Sequence, residues 1–291
     1  MILLSFDIEE FDMPLEYNGE ISLEEQLAVS RKGLENILRI LKENDIKATF
    51  FSTVVFAENN KDLVQYLLSE GHELASHTWF HSDFKEEHLA TSKQELEKLF
   101  NTKVVGLRMP RMSPVSEDAV SNAGYFYNSS INPTYLPGRY NNFGVSRKPF
   151  CQKKVLQFPA SVSTIFRIPL FWLSFHNFPL WIYKFLSKLS LDSTGFLNIY
   201  FHPWEFADIS NPKYKLPGFT FKNTAEAMGS RFDDFIKWAK KIIISFLQPK
   251  IFWKTGHKKI KINEDCLRRQ TYFFQCVRTW KLFPGFGADS I

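Results

Sequence analysis

Short apolar runs that stop on a charge recur along this chain, and the stretches between them repeat with a helical period. Ile2-Leu3-Leu4-Ser5-Phe6 runs straight into Asp7, Glu9 and Glu10. Val104-Val105-Gly106-Leu107 ends on Arg108, and Leu197-Asn198-Ile199-Tyr200-Phe201 ends on His202. Strands that alternate with helices pair in parallel, because each must return through a helix before the next begins. The carboxyl ends of such strands carry the chemistry in open α/β sheets and α/β barrels. Charge at those ends therefore points to function. For Asp12 and Glu16 the simpler reading, a solvated acidic turn, is preferred.

The same alternation fills the rest of the chain. Residues 21–44 carry apolar side chains at Leu27, Leu34, Ile37, Leu38 and Leu41, with Ser22 and Glu25 spaced as a capping box. A strand is expected over 46–55, a helix over 61–70 stopped by Gly71, and a short strand over 73–76 that delivers His77. Helices follow over 86–100 and 116–123, the latter ended by Gly124, and strands over 103–107, 126–129 and 155–159. Residues 131–149 are rich in Asn, Pro, Gly and Tyr and read as a long loop over the site. A final helix is expected over 225–241. With 291 residues, 44% of them hydrophobic, the chain can bury one large core, and barrels of this size form single domains.

His77 and His81 stand four apart in His77-Thr78-Trp79-Phe80-His81, a spacing that puts two imidazoles on one helical face as a metal clamp. Histidines so spaced are commonly surface residues. Here the acids that end the first strand supply a third ligand, which a divalent cation wants alongside an open position for water. His202 is followed by Pro203, which pins the backbone and stops the strand. Arg108, with Pro110 two residues on, can hold a carboxylate in a bidentate fork.

These pieces resemble the polysaccharide deacetylase family, metal-dependent carbohydrate esterases that share the chitooligosaccharide and peptidoglycan deacetylase homology domain. The likeness extends over roughly residues 2–243, with four motifs in order. They are Ser5-Phe6-Asp7-Ile8-Glu9-Glu10, His77-Thr78-Trp79-Phe80-His81, Arg108 with Pro110, and the strand ending on His202 in a His-Pro-Trp-Glu string. Many members carry two adjacent aspartates in the first motif. Here Ile8 intervenes, as in branches that skip one residue between base and ligand. The resemblance implies a distorted, incomplete (β/α)7 barrel in a single domain. It makes Asp7 the base, Glu9, His77 and His81 the metal ligands, His202 the acid and Arg108 the residue that orients Asp7. Strand alternation puts Asp7 and Glu9 on one side; Glu10 stays open as the alternative ligand. Trp79, Pro110 and Trp204 are the candidates for substrate contact.

The implied reaction is metal-dependent hydrolysis of an N-acetyl group from an amino sugar, in a glycan or a lipid-linked glycan precursor of the bacterial cell surface. Asp7 takes a proton from water, His202 protonates the amine, and a backbone N–H after Arg108 helps to hold the oxyanion. Two imidazoles and a carboxylate suit one divalent ion, zinc by default, with cobalt, nickel or iron(II) as alternatives. The competing readings are hydrolysis of another amide, such as a cyclic ureide, and a metal-free sugar-binding relative.

Three further features bound the reading. The three cysteines, Cys151, Cys266 and Cys276, lack a metal spacing and are odd in number. No disulfide framework is expected, and with no leader pattern before the first strand this points to the cytoplasm. Residues 165–191 are aromatic, but Arg167, Pro169, His176, Asn177, Pro179 and Lys184 interrupt them too often for a membrane span. They read as core plus a packed helix, or as an apolar lip that meets a membrane or a lipid-linked sugar. Beyond Pro249, nine basic residues face three acids, so this segment accounts for the whole net charge of +5. Residues 1–246 are then the catalytic domain and 247–291 a basic tail, either without a role or attracted to anionic surfaces. Lys258-Lys259-Ile260-Lys261 is too short to indicate nucleic-acid binding.

Overall fold

Seven parallel strands, each delivered by a helical crossover or a long loop, organise the molecule. The computed structural model describes residues 1–136 and 140–246. β1 (Ile2–Ile8) is followed by α1 (Met13–Glu16), α2 (Leu23–Glu43), β2 (Thr49–Ser52), α3 (Val54–Asn59), α4 (Lys61–Ser69) and β3 (Glu73–Ser76). Then come α5 (His88–Phe100), β4 (Gly106–Leu107), α6 (Glu117–Asn122) and β5 (Tyr127–Asn128). A ribbon of β6 (Tyr135–Leu136) and β7 (Tyr140–Asn141) precedes β8 (Phe150–Gln152) and β9 (Val155–Gln157). The described chain ends through α7 (Trp172–Asn177), α8 (Leu180–Thr194), β10 (Leu197–Phe201), α9 (Gly218–Phe221) and α10 (Ala225–Phe246).

The main sheet runs β10-β1-β2-β3-β4-β5-β9-β8, and only β8 is antiparallel to its neighbour. Alternation along the strands sorts side chains into two compartments. Phe6, Ile8, Phe50 and Phe201 face the helices in the main core, while Phe51, Ala75, Tyr127 and Phe158 fill the concave side. The sheet curls into an incomplete, distorted barrel. Among the described residues no strand joins β9 to β10. Instead the segment after β9 lies along β10, where the Ser161 N–H donates to the Asn198 carbonyl at 2.9 Å and the Asn198 N–H to Ser161 Oγ at 2.7 Å. The Asn198 amide also donates to Ser129 Oγ and to the carbonyls of Phe158 and Pro159, each at 3.2 Å. One side chain thus stitches the seam.

Local chemistry set several boundaries. Ser22 Oγ caps α2 by accepting from the Glu25 N–H at 3.2 Å, as a capping residue does. The strand expected over 46–55 is cut to four residues because Thr53 Oγ1 caps α3 through the Phe56 N–H at 3.1 Å. The loop over 131–149 contains the β6–β7 ribbon, and Asn142 ties it down by donating to the Asn132 carbonyl at 2.7 Å. The aromatic stretch 165–191 forms α7 and most of α8, with Phe175 and Tyr183 buried and Trp181 and Phe185 exposed. Cys151 is disulfide-bonded, where the sequence led to no expectation of a disulfide framework. The basic tail 247–291 and the proposed domain boundary lie outside the described residues, and among those described no helix is long and apolar enough to cross a membrane.

Candidate active site

Asp7 near the end of β1, His77 after β3, Arg108 after β4 and His202 after β10 converge at the carboxyl end of the barrel. Asp7, His77 and His202 line a cleft of about 180 Å³ together with Trp172 and Trp204. The His77–His81 segment is not helical, contrary to the helical-face expectation. Thr78 takes φ 68, and the first free N–H groups of α3, those of Val54 and Val55, donate to the carbonyls of Thr78 and Trp79. Helix starts leave such donors unsatisfied, so α3 clamps the loop and brings the two rings near-parallel, 5.9 Å apart.

Glu9, His77 and His81 present one ligand atom each within 4.8 Å of one another, a group able to hold a metal ion. Glu9 Oε2 lies 2.9 Å from His77 Nε2 and 3.3 Å from His81 Nε2, yet this buried oxygen accepts no hydrogen bond. The outer nitrogens are committed elsewhere. His77 Nδ1 donates to the Arg108 carbonyl at 2.9 Å, and His81 Nδ1 meets Asp12 Oδ1 at 2.7 Å. Partners of that kind fix the tautomer and aim both Nε2 lone pairs inward. The donor set and the orphaned oxygen fit a divalent cation.

The charges reinforce one another. Burial disfavours the Glu9 carboxylate, but the nearby His81, His77 and His202 rings outweigh it and bring its pKa down to about 2. Burial likewise opposes charge on His81, and Glu9 and Asp12 reverse this, lifting it to about 9. Glu10 is different. Its Oε2 accepts from Thr53 Oγ1 at 2.7 Å and burial pushes its carboxyl up, and it is not one of the three residues whose ligand atoms gather together.

Arg108 is fully buried, its guanidinium 4.2 Å from the centre of Phe51 and 4.9 Å from that of Tyr200. It donates to Asp7 Oδ1 at 2.6 Å, while its other nitrogens reach Ser5 and Ser129. Asp7 takes one arm of the fork, not two. His202 Nε2 stands 3.9 Å from Asp7 Oδ2 and 4.0 Å from Glu9 Oε1. Burial works against protonation of His202, but Glu205, Glu9 and Asp7 raise its pKa above the ordinary value. Glu205 Oε1 accepts from both the His202 backbone N–H at 2.6 Å and His202 Nδ1 at 2.9 Å. The turn that carries them is pressed on α2, where a Cβ on Gly33 would lie 1.7 Å from the Pro203 carbonyl oxygen.

Several expectations need correction. Asp12 is buried, receives Ser82 Oγ–H as well as His81, and is no solvated turn, whereas Glu16 is exposed as expected and pairs with Arg111 at 2.6 Å. Trp79 packs against the main core and Pro110 is buried, neither lining the cleft, whereas Trp204 stacks on His202 at 5.0 Å. The Met109 N–H donates to Ser130 Oγ and Pro110 has none, so the first two residues after Arg108 offer the oxyanion no donor. Sequence reasoning also passed over Glu205 and His176. The three-residue step from His202 to Glu205 was the one available signal.

Residues 27–125 match the family model for polysaccharide deacetylase, a segment that contains His77, His81 and Arg108. An uncharacterised 30.6 kDa protein from the fumA 3′ region of Geobacillus stearothermophilus is 35% identical over 86 residues, 28% of this chain and 32% of that protein. The match thus spans about a third of that relative. A Pseudomonas aeruginosa PAO1 structure described as a polysaccharide deacetylase is 16% identical, with a TM-score of 0.60 over 82% of this chain and 84% of that one. The Puue allantoinase structure is 17% identical, with a TM-score of 0.58 over 82% and 84% of the two chains. At these identities the likeness is one of fold, and a fold does not fix a reaction. Residues 27–125 thus match the polysaccharide deacetylase family, and the described chain shares its fold with a solved structure of that description.

Proposed function

We propose that this protein removes the N-acetyl group from an amino sugar in a glycan or a lipid-linked glycan precursor, in a metal-dependent hydrolysis. The observation that carries the reading is Glu9 Oε2, buried and without a hydrogen bond between two inward-facing imidazoles. Asp7 and His202 stand beside it. A divalent ion there, zinc by default with cobalt, nickel or iron(II) as alternatives, would polarise the acetamide carbonyl and acidify a water. Asp7, held by Arg108, takes a proton from that water. His202, its Nδ1 fixed by Glu205, gives a proton to the amine nitrogen, which leaves poorly as an anion. Trp172 offers a ring in the cleft for a sugar face, and Trp204 backs the His202 ring. Exposed Trp181 and Phe185 support contact with a lipid-linked substrate met at the cytoplasmic side of a membrane. Residues 1–246 are the catalytic unit of this reading.

The test is acetate release from chitooligosaccharides and peptidoglycan fragments by protein loaded with defined metals, set beside ring opening of cyclic ureides to ureido acids. Acetate release that needs a stoichiometric ion supports the proposal. Ring opening without acetate release would move the activity to ureides. Ion and sugar binding without turnover would leave a binding protein.

A further inference from the structure

Behind His202 lies a second histidine that the reaction as described does not use. His176 on α7 is fully buried, as is Glu205. Glu205 bridges the two rings, with Oε1 at 2.9 Å from His202 Nδ1 and Oε2 at 2.8 Å from His176 Nε2. His176 Nδ1 lies 2.7 Å from the Lys222 carbonyl oxygen. A carbonyl only accepts, so that nitrogen carries a hydrogen. The contact on the other side needs one more hydrogen, placed between Nε2 and Oε2. Oε1 already accepts twice from His202, through the backbone N–H and the ring. Trp204 stacks on the His202 ring at 5.0 Å, and Trp172 meets the His176 and His202 rings edge-on at 6.0 and 5.8 Å. The row His202–Glu205–His176 therefore runs through an apolar sleeve, where a half-satisfied polar chain is costly.

We propose that His176 is a positioning residue for the proton donor: by occupying Glu205 Oε2 it keeps Oε1 turned to His202 Nδ1 and so holds His202 Nε2 toward the departing nitrogen. The inference rests on the deacetylase reading. In the step it serves, the C–N bond breaks, its electron pair stays on nitrogen, and the proton from His202 Nε2 completes the amine. The acetyl carbon leaves as acetate with the oxygen of the attacking water. The proton Asp7 takes from that water balances, through solvent, the one His202 gives. Without a donor on Oε2, the buried carboxyl must find a proton of its own or rotate, and either change weakens its hold on His202. Such a loss matters only where the leaving group needs a proton.

The experiment compares His176→Phe and His176→Gln with wild type on two substrates, an N-acetylglucosamine oligomer and 4-nitrophenyl acetate, whose phenolate leaves unaided. His176→Phe is expected to lower kcat on the oligomer by about 10- to 100-fold, with KM within about twofold and ester turnover nearly unchanged. His176→Gln, which keeps a donor to Oε2, is expected to recover part of the loss. An equal fall on both substrates, or none on the oligomer, overturns the proposal. A second readout is independent of turnover: the low-field proton resonance of His202 Nδ1–H, assigned by its absence in His202→Gln. His176→Phe is expected to shift or broaden it, and His176→Gln to restore it. An unmoved resonance overturns the proposal even if the wild type proves to act on another substrate.

Discussion

Asp12 decides how well His81 can serve as a ligand, because the ring's outer nitrogen needs a fixed partner before its inner lone pair has a direction. Partners of this kind are worth about 10- to 100-fold in metal affinity. Asp12→Asn is expected to weaken zinc binding by that factor and Glu10→Gln to leave it nearly unchanged, both measurable by competition with a chromophoric chelator. The reverse ranking would return the ligand role to Glu10. pH acts on the same ring. With His81 raised to about 9, an arriving ion must displace its proton, so affinity is expected to weaken by up to about tenfold per pH unit below that value. Calorimetry in buffers of different ionisation enthalpy counts the released proton, and a count near zero at pH 7 defeats the assignment. Asp7→Asn is expected to keep the ion and lose about 10²–10⁴ of turnover. The six residues brought together here could be read from sequence because each sits at or near the end of an apolar strand. Asp12 and His176 could not, since their partners meet only once loops far apart in sequence have folded, and Glu205 offered only its three-residue step from His202.

Elements were legible where one side chain announces a boundary, as Ser22 does for α2, and less so where two signals collide. The run 46–55 is apolar enough for one strand, but Thr53 can cap a helix, and the cap prevails because a helix start with a bound hydroxyl satisfies a donor that a longer strand would leave open. His77 and His81 show the converse: a helical spacing met by a loop, since the α3 donors hold the backbone there. Between strands the clearest consequence is at Glu73, facing the barrel interior. Thr49 Oγ1 donates to it at 2.7 Å, and burial raises its carboxyl from 4.5 to about 7. The folded state thus favours the protonated acid. Its contribution is fully present below pH 4.5 and is lost as pH rises to about 7, worth roughly 3 kcal/mol at most. Glu73→Gln is expected to flatten the change in Tm between pH 5 and pH 8. A variant that kept the wild-type slope would place the titration elsewhere.

For the molecule as a whole, the seam between β9 and β10 is the feature no apolar pattern could reveal, because it is closed by Asn198 and Ser161 and not by a strand. Asn198→Leu would take the amide donor from the Pro159 carbonyl in a buried setting, while the Phe158 carbonyl keeps Ser129 Oγ–H and Ser129 Oγ keeps the Arg108 guanidinium. The expected loss of stability is about 1–3 kcal/mol, read from denaturant unfolding, and a change under about 0.5 kcal/mol would mean that the seam holds without its stitch. The barrel class was legible all the same, since alternating strands and helices admit few other arrangements. Gly33 carries a different lesson. It sits in the outer helix layer, far in sequence from every residue that would touch a substrate, yet no side chain fits between it and Pro203. Adding a single methyl group there would shove the turn behind His202 while the metal ligands stayed in place. A survey that scored substitutions by activity alone would mark this helix position as part of the reaction centre. Homologues that vary at Gly33 are therefore expected to reshape the Pro203 turn in step, so that the two positions drift as one.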